Sequence, residues 1–140
     1  IILIIALSVT KFIYGQKTCD DSEFIFVETE IMPEPSPDLS DVEKLINREF
    51  KTLNCGLQEG DKFTVEFKIN CEGQDFDYRT IKLNKEPFEC GIAGYLQNTI
   101  TWTVAKQRNK AVDFGGTLVF KVSNSRFILL SESINEVTKS

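Results

Sequence analysis

Residues Lys62 to Cys71, KFTVEFKINC, alternate strictly: apolar Phe63, Val65, Phe67 and Ile69 are separated by polar Thr64, Glu66, Lys68 and Asn70. Successive side chains of a β-strand point to opposite faces, so the pattern predicts a strand with one face buried and one face wet. Such a strand cannot stand alone. Its apolar row needs neighbouring strands and a covering layer, and the flanking sequence offers both. EGQ, with Gly73 free to adopt positive φ, predicts a turn, after which DFDYRTIKLN returns as an antiparallel partner. Asp75 and Asp77 then fall on one face of this second strand and read as solvated, because calcium needs about six to eight oxygens, more than this spacing supplies.

Upstream, SDVEKLINREFKTL has Ser40 and Glu43 at capping-box spacing, with Val42, Leu45, Ile46, Phe50 and Leu53 on one stripe. They predict a helix from Asp41 to Leu53. Downstream, PFECGIAGYLQNTI has Phe88, Ile92, Tyr95 and Leu96 at helical spacing. Pro87 is tolerated in a first turn, and Gly91 and Gly94 weaken the helix. Trp102 follows and reads as core, closing the hydrophobic layer. AVDFGGTLVFKV is a third strand, in which Gly115 and Gly116 suggest a bulge or a close approach. The expected fold is α+β, order α-β-β-α-β, with two helices packed on one face of a small three-stranded antiparallel sheet. If the tail turns back, Arg126 to Leu130 adds a fourth strand beside the third.

Residues 1–15, IILIIALSVTKFIYG, are apolar but shorter than the roughly 20 residues that span a bilayer, so they read as a secretory signal with cleavage after Gly15. An uncleaved anchor is the competing reading. Residues 16–39 form an acidic lead-in whose Pro33, Pro35 and Pro37 predict an extended, irregular path, with a short strand around Phe24 to Val27 ahead of it. The domain proper is expected over 40–130, and 131–140 is expected to fray.

The formal net charge of −5 argues against nucleic-acid binding, which needs a positive field. The chain has no histidine, which removes the usual general base, so an enzyme is disfavoured. The four cysteines Cys19, Cys55, Cys71 and Cys90 all follow the export signal and read as two disulfides. Zinc is the competing use, but the chain offers neither histidine nor a CxxC knuckle. In the expected topology Cys55 and Cys90 lie at one end of the sheet and Cys71 at the other, which predicts Cys55 with Cys90 and Cys19 with Cys71. No metal or cofactor is expected.

Several stretches together, in order, resemble the C-terminal domain of TonB, the energy transducer of outer-membrane transport, in the form found in Bacteroidetes. FVETEIMPEP is similar to that group's lead-in, FTVEFKINCEG to its first strand and turn, PFECGIAGYLQNTITW to its second helix running into tryptophan, and KQRNKAV to its connector into the last strand. The resemblance covers Phe24 to Val122. The chain departs from the family where Trp102 is followed by Thr103, Val104 and Ala105, where Asn109 and Ala111 replace a usual glycine and proline, and in its cysteines.

The resemblance implies a non-enzymatic periplasmic domain that binds an extended peptide of an outer-membrane transporter by strand addition on the edge of the last strand, Val112 to Val122. Its recognising residues would be Phe114, Thr117, Leu118, Val119 and Phe120, with Lys106, Arg108 and Lys110 steering an acidic peptide. The bland alternative makes Phe114, Leu118 and Phe120 core and the basic residues solvated. A second functional class is a disulfide-stabilised secreted structural protein that kept the fold without peptide binding. A fourth strand at Arg126 to Leu130 would block strand addition on that edge.

Overall fold

The computed structural model describes residues 26–130. The expected signal, the Cys19 end of the lead-in and the tail expected to fray lie outside the described residues. The alternating segment forms strand β2, Lys62–Ile69, between two strands β1, Pro35–Ser36, and β3, Asp75–Lys82, in chain order. Helix α1, Leu39–Glu49, precedes it, and strand β4, Pro87–Phe88, helix α2, Ile92–Thr99, and strand β5, Thr101–Trp102, come after β3. Strands β6, Ala105–Gln107, β7, Lys110–Val112, β8, Phe114–Ser123, and β9, Arg126–Leu129, complete the chain. β4, β3, β2, β8 and β9 form one antiparallel five-stranded sheet in that order.

The fold is thus α+β with two helices, as expected, but the sheet is wider than three strands. β4 and β9 are the additions. Pro87 and Phe88, expected in the first turn of the second helix, instead pair with Ile81 and Thr80 as an edge strand, a place where proline's missing donor is harmless. α2 starts only after Gly91, whose φ of 100° is a break in the chain that suits glycine. The first helix also shifts. Asp38, not Ser40, is its N-cap: the Asp38 carboxylate accepts the Asp41 N–H, and the Ser40 hydroxyl donates to the same oxygen. The helix stops at Phe50, which is extended, and a 3-10 turn at Leu53–Cys55 takes the place of its expected last turn. Leu53, expected on the apolar stripe, is exposed.

Phe63, Val65, Phe67 and Ile69 are all buried, and in the register of β2 with β8 they stand opposite Phe120, Leu118, Gly116 and Phe114. Val42 and Ile46 of α1 and Ile92, Ala93 and Leu96 of α2 belong to the same core. The disulfide Cys55–Cys90 ties the turn after α1 to the approach to α2, with 5.1 Å between Cα atoms. Cys71 is also disulfide-bonded; its expected partner, Cys19, lies outside the described residues. Among the described residues no helix is long and apolar enough to cross a membrane.

The two adjacent glycines have different effects. The register of β8 with β2 runs unbroken through Gly115 and Gly116, so no bulge sits there. A Cβ on Gly116 would lie 2.4 Å from Cζ of Phe67, whose ring occupies that space and stacks on Tyr78 and Trp102 at centroid distances of 5.2 and 4.7 Å. The irregularity falls in β3 instead, where Asp77 has a φ of 57° and the pairing with β2 shifts between Glu66 and Lys68. Gly116→Ala is expected to destabilise the protein by about 1–3 kcal/mol in urea unfolding, the usual range for overpacking. A loss under about 0.5 kcal/mol, the level of an ordinary surface change, would show that the ring does not need the space.

Candidate functional site

Backbone groups along β8 alternate in direction, and this decides which of them a partner strand can reach. The Gly115 N–H donates to Phe26 O, and the Val119 C=O accepts from Leu130 N–H, so both residues turn their backbone groups away from β2. Thr117, midway between them, turns the same way. The edge has two occupants. β9 pairs with Phe120, Lys121, Val122 and Ser123, and Phe26 forms a parallel bridge with Phe114 at the other end. Between them, among the described residues, no strand pairs with Thr117. The expected edge from Val112 to Val122 is therefore not free along its length: the tail folds back through Asn124 and Ser125, both at positive φ as a two-residue hairpin requires, and takes its C-terminal half.

The edge of β9 is closed in turn by α1. Asn47 accepts the Phe127 N–H and donates to the Phe127 C=O, each at 2.8 Å, and the Glu43 carboxylate accepts the Leu129 N–H at 2.8 Å. Glu43, expected to complete a capping box, serves the sheet instead. Side chains that occupy an edge in this way remove a template for unwanted pairing.

The other face of β8 frames the gap at Thr117. Gly115 has no side chain, and a shallow recess over it is lined by Val27, Glu66, Lys68, Asp77, Arg79 and Thr117. Val27 is 67% exposed. The charges here pair with one another: Lys68 with Asp77 at 3.0 Å, and Arg79 with Glu66 at 3.6 Å and with Asp77 at 3.9 Å. Such half-exposed pairs are each worth about 0–1 kcal/mol.

The bulge at Asp77 separates the two carboxylates that strict alternation put on one face. Asp77 turns to Lys68, whereas Asp75 turns inward and accepts a 2.6 Å bond from the Tyr78 hydroxyl. That hydroxyl oxygen accepts the Trp102 indole N–H at 2.9 Å. Burial raises the Asp75 carboxyl above the usual carboxylate range, although the Tyr78 bond pulls it down. Burial, with the Asp75 bond and charge behind it, pushes the Tyr78 phenol far up, so it stays protonated and keeps donating. Trp102 is buried as expected, and this network fixes its orientation.

The sequence-predicted residues divide by face. Phe114, Leu118 and Phe120 are fully buried core, whereas Thr117 and Val119 lie half-buried on the opposite face. Lys106, Arg108 and Lys110 lie on a separate hairpin, β6 with β7, whose two-residue turn places Arg108 and Asn109 at φ of 53° and 63°. This hairpin already has a neighbour. Ile31 bridges Lys106, the Glu30 N–H donates to the Gln107 side chain, and the Glu30 carboxylate accepts the Arg108 N–H. The acidic lead-in thus runs along the basic turn, and it continues to the pairing of Pro35 and Ser36 with Trp102 and Thr101. Its path is extended and largely irregular as expected, but docked. Val27, Lys68 and Asn47 were not singled out from sequence, and Glu43 only as a helix cap; their place beside β8 and β9 gives them these roles. No protein-family model, curated protein or solved structure matches the chain.

Two variants test this arrangement. Asn47→Ala leaves both Phe127 backbone groups without their side-chain partner, so a loss of about 1–3 kcal/mol is expected, with concentration-dependent association in sedimentation as β9 is exposed. Asp75 binds its proton more tightly folded than unfolded, so its contribution is full below the unfolded pKa and is lost as pH rises through the folded one. The stability of the unmodified chain relative to Asp75→Asn, read from urea midpoints, is therefore expected to fall as pH rises from about 3 to about 7. A flat difference contradicts the raised pKa.

Proposed function

We propose that the chain is a non-enzymatic exported domain that binds an extended peptide of an outer-membrane transport partner by strand addition at the β8 edge, as its resemblance to TonB C-terminal domains implies. The observation that carries this reading is the gap at Thr117. There the outward backbone groups of Thr117 have no paired strand among the described residues, and the Gly115 recess lies alongside. Backbone hydrogen bonds at Thr117 supply affinity, and the recess receives a side chain of the peptide. Lys68 and Arg79, beside that recess, are already matched by Asp77 and Glu66, so steering of an acidic peptide stays with Lys106, Arg108 and Lys110 on the β6–β7 hairpin. A strand advances about 3.4 Å per residue, so the gap takes only a short stretch of peptide.

A second reading has its own support. β9 covers much of the β8 edge and α1 seals β9, which suits a disulfide-braced structural protein without a peptide ligand. Titration of extended transporter-plug peptides into the labelled protein distinguishes the two. Strand addition is expected to shift the amide resonances of Gly115 and Thr117 more than those of Gly116 and Leu118, which point to β2. If no peptide moves Gly115 or Thr117, the structural reading stands.

A further inference from the structure

The weakest pairing on the sheet edge is made by the chain itself. Phe26 bridges Phe114 in parallel through two backbone hydrogen bonds, Phe26 N–H to Asp113 O at 3.1 Å and Gly115 N–H to Phe26 O at 2.7 Å. It is an isolated bridge, not a strand. Val27, next along the chain, leaves the edge at 67% exposure and forms one wall of the recess over Gly115. The lead-in regains backbone pairing only at Ile31. By contrast, the other side of β8 is paired with β2 from Phe114 to Lys121 without a break.

Resting on the strand-addition reading, we infer that Phe26 is a built-in occupant of the binding edge, and that a partner strand binds by displacing it. The gap at Thr117 alone takes too few residues for a ladder. Removal of Phe26 joins the Asp113 carbonyl and the Gly115 N–H to the open groups of Thr117, giving a continuous run from Asp113 to Thr117. The occupant also indicates the ligand's chemistry: a bulky apolar residue at the Phe114 register followed by an aliphatic one at the recess, as Phe26 and Val27 supply here. The anchors at Ile31 with Lys106 and at Glu30 with Gln107 and Arg108 hold the rest of the lead-in, so release is confined to its first described residues. Each of these backbone bonds contributes only modestly once exchange with water is counted, so a competing strand can take their place.

The test uses the full chain and the variant Phe26→Pro, which removes the donor to Asp113 O and leaves β8 untouched. The probe is the synthetic peptide EFIFVETE, the sequence of residues 23–30. In the variant, faster hydrogen exchange is expected at the Gly115 amide, with Gly116 and Leu118 still protected as evidence that the sheet is intact. The peptide is expected to bind the variant about tenfold more tightly than the unmodified chain, the effect of weakening the competitor by about one such bond. Equal affinity for both proteins overturns the displaced-strand inference and leaves strand addition standing. Binding to neither, with Gly116 and Leu118 protected, overturns both.

Discussion

The ring of Phe67 lies where a side chain on Gly116 would otherwise be, and much of the molecule is arranged around that substitution of one group for another. The ring sits on β2 opposite the backbone of β8, stacks on Tyr78 from β3, and is covered by Trp102 after α2. Three strands and the connector behind the second helix therefore meet at one aromatic group. Stacked aromatic rings contribute beyond the area that they bury, but only in restricted geometries. The bulge at Asp77 brings Tyr78 into that geometry. Tyr78 then needs a partner for its hydroxyl, and Asp75 and the Trp102 indole provide one acceptor and one donor.

From this centre the sheet extends to edges that are closed by different means. β4 is short and begins with proline. β9 is sealed by two side chains of α1, so the helix that fills the core also satisfies the strand's outward N–H groups. β8 is covered by β9 at one end and, among the described residues, by Phe26 of the lead-in at the other. A buried backbone group without a partner is expensive, and an exposed one invites pairing. The edge near Thr117 is where closure is thinnest, which is why the functional reading rests there and not on the conspicuous basic residues. Those residues lie on the β6–β7 hairpin, whose backbone meets the lead-in: the Glu30 carboxylate accepts the Arg108 N–H, and Ile31 bridges Lys106.

The central strand, its hairpin partner and the last long strand were legible in the sequence, because alternation and turn residues are local signals that the core then reinforces; the tail strand was one of two readings. Cys55 with Cys90 was also legible, since it follows from which ends of the elements come together. The errors share a cause. Pro87 and Phe88 satisfy a helical spacing and also a two-residue edge strand, and only the presence of Thr80 and Ile81 beside them decides between the two. Asp75 and Asp77 look like one face until the bulge inserts a residue. Glu43 fits a capping box until Leu129 offers it an N–H from 86 residues away.

The sequence by itself determined the α+β class, the buried row of β2, the two positive-φ hairpin turns in outline and the core role of Trp102, because each follows from side-chain period or from the conformations a residue tolerates. Only the tertiary structure decided which edges are open. That property belongs to no single segment. Whether Thr117 has a partner depends on Phe26 and on β9, and whether β9 has one depends on Asn47 and Glu43, residues far apart in the chain whose backbone and side-chain groups meet only after the core has formed.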